Sequence, residues 1–215
     1  MKFCTFFVFT DWKKLFGSID CPKIVSSNHH YNHAFQAFYG SNYNNSLCIT
    51  IDGFGDNDCT VIWNCTKNNI YPVKRIAMPH SLGWFYLAFT EFLGFQAYDG
   101  EYKMMGLAAY GKKNDSLRNK IKKIIDYDDY ENIYYLNPYY IHYGKHSWSN
   151  RFTDKMVDLL KINPRISSEK ITTIHKDLAF EVQFALENIV LKLTKYYMQK
   201  YNHQNLCIGG GEGLN

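Results

Sequence analysis

The sequence predicts an α/β domain in which a mixed sheet is flanked by helices. Three stretches carry that expectation. Leu47 to Ile76 holds three β-rich runs separated by turn formers, Ser168 to Tyr201 repeats apolar residues at helical spacing, and Asn205 to Ile208 is a further β-rich run.

Residues 1–20 are aromatic and poorly patterned, and they read as a segment apart from a domain spanning 21–215. Lys23 to Ser26 reads as a brief strand leading into a helix over Ser27 to Tyr39, with Ser27 or Asn28 as its N-cap. Ala34 and Ala37 are small enough for that helix to lie close to a sheet. The run Leu47 to Asp52, the turn Gly53 to Asp58 and the run Cys59 to Cys65 form a hairpin, and Tyr71 to Ile76 continues the meander. Alternation puts Cys48, Thr50 and Asp52 on one face and Leu47, Ile49 and Ile51 on the other.

A helix is predicted from Ser81, which caps it, to Gly94, which ends it. The glycine-bounded segment Gly100 to Gly111 mixes charge with apolar bulk. Residues 112–150 are expected to hold a short basic helix, Asp115 to Ile125, and then a tyrosine- and asparagine-rich surface insertion. A helix near Met156 to Leu160 precedes the long one, whose core face is Ile171, Ile174, Leu178, Val182, Ala185, Ile189 and Leu193. The final strand runs into Gly209-Gly210-Gly211-Glu212-Gly213-Leu214-Asn215.

Composition narrows the function. Hydrophobic residues at 46% against 20% charged argue for a packed chain over a disordered one. The 24 basic and 20 acidic residues are interspersed, so no charged block marks a nucleic-acid or membrane footprint. The apolar run Phe3 to Phe9 is too short to span a membrane and lacks a secretory cleavage site. Six cysteines without a CxxC pair fit a reducing, cytoplasmic setting.

His29 and His33, four apart on a helix, project from one face and could grip one metal ion, although such pairs also occur on solvated faces. A zinc peptidase would place Glu directly after the first His, where this chain has His30. Asp52, a carboxylate at a strand end beside a glycine turn, would complete a set suited to iron(II), manganese(II) or zinc(II); its alternative role is turn capping. The glycines after the last strand would let backbone amides approach a phosphate, or would simply make a tight turn. Glu101 and Lys103 are candidates for substrate contact or plain surface.

The motifs SSNHHYNHAFQAFY, LCITIDGFGD, PHSLGWFYLAFTEFLGF, GEYKMMGLAAYG and GGGEGLN occur in that order. Together they resemble the O-carbamoyltransferases of nodulation-factor and antibiotic biosynthesis, from about Ile24 to Asn215 and least over 112–200. The resemblance implies a ribonuclease-H-like sheet of the actin-like ATPase type, here incomplete at both ends. It implies carbamoyl phosphate and ATP as small-molecule substrates, a carbamoyl-adenylate, and transfer to an acceptor hydroxyl, with no nucleic acid or membrane as partner. By the same resemblance His29, His33 and Asp52 fall on metal ligands, Gly209, Gly210, Gly211 and Asn215 on the nucleotide-phosphate loop, and Gly100 to Lys103 near the ribose. Glu212 and Gly213 depart from the pattern. Family members carry further polypeptide before the His helix and after the glycine loop, so the chain is expected to act when completed by such parts. Two other readings are a non-catalytic metal-binding or interaction module of this fold and a relative of the tRNA threonylcarbamoyl-transfer ATPases.

Overall fold

The computed structural model describes residues 12, 14–17, 25–143 and 151–214. Four strands, β1 (Asn45–Gly55), β2 (Asp58–Thr66), β3 (Asn69–Ala77) and β6 (Leu206–Gly209), make one sheet in the order β3-β2-β1-β6. The first three form the antiparallel meander expected from the sequence. β6 lies parallel to β1, with Cys207 opposite Cys48 and Gly209 opposite Thr50. A second sheet pairs β4 (Ile125–Asp128) with β5 (Ile133–Leu136).

Alternation along β1 divides two cores. Leu47, Ile49 and Ile51 enter the larger, which holds most of α2 (Leu82–Phe92) and the buried faces of α3 (Glu101–Ala108), α4 (Asp115–Ile121), α5 (Asp154–Leu160) and α6 (Thr173–Lys200). Cys48 enters the smaller, with Val61, Trp63, Cys65, Ile70 and Cys207, closed by Ala34 and Phe38 of α1 (His29–Gly40). The sheet is therefore covered by α1 on one face and by helices from later in the chain on the other. All four described cysteines are free and buried.

Asn28 is the N-cap of α1, its side chain accepting from the Tyr31 amide at 3.0 Å. Ser81 caps α2 through the Trp84 amide, and its hydroxyl also donates to the Gly53 carbonyl at 2.5 Å, which fixes the helix start to the end of β1. Apart from Glu91, every residue of α2 is buried, as expected for a helix that is apolar all round. It ends at Gly94, whose φ of +73° and close approach to the Arg165 carbonyl both require glycine. The Arg165 guanidinium then takes up the Leu93 carbonyl at 2.6 Å.

Several boundaries differ from expectation. The segment after Gly100 is helical. The basic helix stops at Ile121, and Ile124 and Ile125 are buried outside it, as core residues leading into a strand. The region read as a surface insertion is partly core: Tyr134, Leu136 and Ile141 are buried. The Tyr134 hydroxyl donates to the His80 carbonyl at 3.1 Å and accepts from Thr60 at 2.7 Å, tying the small sheet to β2. The long helix begins at Thr173, because Thr172 and His175 form a reciprocal cap there. Val25 and Ser26 are not in a strand; Lys23 and Ile24 lie outside the described residues.

Candidate metal centre

β1 ends beside the first turn of α1, and three side chains meet there. His29 Nε2 lies 2.9 Å from Asp52 Oδ2, His33 Nε2 lies 3.2 Å from the same oxygen, and the two ring nitrogens are 3.1 Å apart. No placement of protons makes all three contacts hydrogen bonds, because each ring nitrogen can only donate or accept and the ionised oxygen only accepts. A cation satisfies all three at once. With bonds of about 2.1 Å, ligands 90° apart are separated by about 3.0 Å and tetrahedral ones by about 3.4 Å, so the donors sit at the spacing of one octahedral face. Their chemistry, two imidazoles and a carboxylate, fits iron(II), manganese(II) or zinc(II). The side chains of His29, His33 and Asp52 remain 40%, 30% and 27% exposed, so a small molecule can reach them.

Local structure fixes each donor. Burial opposes ionisation of Asp52, but the His29 hydrogen bond, the Gly53 amide at 2.8 Å and the neighbouring imidazoles outweigh it and hold the carboxyl below its ordinary range. The His29 ring lies against Gly55, where a Cβ would overlap it. His30, one residue on, turns about 100° to the sheet side, where it is fully buried. Its Nε2 donates to the Asp58 carbonyl and its Nδ1 accepts from Thr50, both at 2.9 Å. Burial lowers the pKa of His30, so the ring is neutral and pins α1 to β1 and β2. Sequence reasoning gave His30 no role, although adjacent helical histidines cannot share a face.

The glycine run comes to the same place. Gly209 backs onto the His33 carbonyl, Gly210 has a φ of +91° and no room for a Cβ against the Ile51 carbonyl, and a Cβ on Gly211 would lie 3.3 Å from Asp52 Oδ1. Loop and triad therefore adjoin; Asn215 and the side chain of Glu212 lie outside the described residues. Glu101 and Lys103 have local partners on their own segment. The Tyr98 amide donates to Glu101 at 2.9 Å, and Lys103 pairs with Asp99 at 3.1 Å on the surface. Gly100 packs against Phe95 and Thr90 at the start of α3, a position that excludes a side chain.

Comparison with known proteins gives this geometry a family. A family model described as the carbamoyltransferase N-terminus matches residues 8–215. The chain belongs to the carbamoyltransferase family. Nodulation protein NolNO of Sinorhizobium fredii is 31% identical over 201 residues, covering 93% of this chain and 27% of that protein. Nodulation protein NolO of Bradyrhizobium diazoefficiens is 30% identical over 188 residues, 87% of this chain and 31% of that protein. An uncharacterised protein of Synechocystis is 32% identical over 198 residues, 91% of this chain and 31% of its own. This carbamoyltransferase N-terminal region thus spans less than a third of the length of these relatives. Among its described residues no helix is long and apolar enough to cross a membrane.

Proposed function

We propose that this chain supplies the metal- and nucleotide-handling part of an O-carbamoyltransferase. The reaction takes ATP, carbamoyl phosphate and one water to a carbamoyl-adenylate, releasing pyrophosphate and phosphate, and then passes the carbamoyl group to an acceptor hydroxyl in a biosynthetic pathway, with AMP leaving. The observation that carries this reading is the convergence of His29, His33 and Asp52 beside the glycine loop of a family member. The sheet order β3-β2-β1-β6, with three antiparallel strands and a parallel fourth, supports a ribonuclease-H-like core of the actin-like ATPase type.

His29, His33 and Asp52 would hold a divalent metal, which when bound neutralises phosphate oxygens and the charge that develops at the reacting phosphorus. Asp52 is kept ionised by its neighbours and so remains a donor under mildly acidic conditions. The side-chain-free backbone of Gly209 to Gly211 lets phosphate oxygens come close to the triad, where bulkier residues would hold them away. Four buried free thiols support a reducing, cytoplasmic setting.

The test is pyrophosphate release by the chain joined to the further polypeptide its relatives carry. Release is expected only with ATP, carbamoyl phosphate and metal together, and is expected to be lost in Asp52→Ala. No release from the joined wild-type protein removes the proposal.

A further inference from the structure

The turn that follows the strand carrying Asp52 also holds the helix that supplies the two histidines. Asp56 Oδ2 accepts from the His29 backbone amide at 3.0 Å and from Asn28 Nδ2 at 2.8 Å. His29 is the first residue of α1, so its amide is one of the donors a helix leaves without an internal partner. Asn28 is the cap, and its other side-chain atom is already committed to Tyr31. One carboxylate oxygen therefore fixes the first residue and the cap together, at the positive end of the helix dipole. The backbone of Asp56 is left-handed, with a φ of 60°, a conformation that Asp and Asn tolerate better than other side chains.

We propose that Asp56 is a positioning residue for the metal centre, setting the rotation of α1 and hence the placement of His29 and His33 over Asp52. The proposal rests on the metal reading given above. Geometry makes the requirement steep: a ring nitrogen about 6 Å from the helix axis moves by about 1 Å when the helix rolls by ~10°, roughly half the length of a metal–ligand bond. His30 anchors the sheet side of the same turn through Thr50 and Asp58. Asp56 anchors the outer side; it lies four residues after Asp52, directly beyond the end of β1, so the clamp follows immediately on the strand that carries the third ligand.

Cobalt(II) titration of the full chain, read by visible absorption, and zinc(II) competition test this. Asp56→Ala is expected to weaken zinc binding about tenfold or more, as lost outer-shell contacts do, and to alter the cobalt band. Asp56→Asn keeps an acceptor oxygen and is expected to restore the wild-type band. If Asp56→Ala shows no cooperative melt, Asp56→Gly is measured in its place, since glycine removes the carboxylate and suits the left-handed backbone at this position. A folded variant with wild-type affinity and an unchanged band overturns the proposal. A wild-type chain that binds neither metal instead removes the metal reading beneath it.

Discussion

Gly55→Ala is expected to weaken metal binding by roughly 100-fold or more, beyond the ~10–100-fold of a lost outer-shell contact, while the chain still melts cooperatively. The backbone of Gly55 is not left-handed, so alanine is conformationally permitted. The cost falls on His29, whose ring occupies the space the new methyl would take. The ring must swing away from Asp52, and the three-donor set becomes two. A double-mutant cycle isolates the cause: once His29 is alanine, Gly55→Ala should have almost no further effect on affinity. Isothermal titration with zinc(II) measures both. Additive losses would mean that Gly55 acts elsewhere.

Arg118→Ala is expected to destabilise the fold by about 3 kcal/mol, read as a lowered midpoint in urea. Glu181 on α6 is fully buried, and its carboxylate accepts from Arg118 Nε at 2.7 Å, from Arg118 Nη2 at 3.2 Å and from the Asn114 amide at 2.7 Å. The guanidinium also lies 3.7 Å over the Phe184 ring. Removing the arginine leaves a buried carboxylate with a single neutral donor, and the partial exposure of Arg118 lets water recover only part of the loss. Arg118→Met with Glu181→Leu, which removes both charges, should regain much of the stability. The pair lies in the α4–α6 packing, so metal affinity should not change.

The sequence was most legible where one local signal decided the structure. The meander followed from turn formers between β-rich runs, α2 from Ser81 and Gly94, and the two-faced burial of β1 from alternation. The histidine pair followed from helical spacing. That Asp52 stands opposite it depends on how α1 lies across β1, which no local pattern contains; its strand-end position beside a glycine turn made it a candidate, and the ordered motifs strengthened that reading.

What stayed hidden depends on contacts distant in sequence. β4 and β5 are four residues each and rich in Tyr and Asp, too short for a period, and Tyr134 is buried because Thr60 and the His80 carbonyl satisfy its hydroxyl. Ile124 and Ile125 look like the last turn of a helix, but their burial comes from the core that β4 joins. Asp56 and Gly55 stood inside a recognised turn, yet their partners on α1 are 26 or more residues away.

The most direct measurement is the metal content of the purified chain by elemental analysis, wild type beside His29→Ala and Asp52→Ala. A triad built as described holds iron, manganese or zinc in the wild type and loses most of it in each variant. Equal metal content in all three proteins would contradict the account and leave the two histidines as ordinary surface residues.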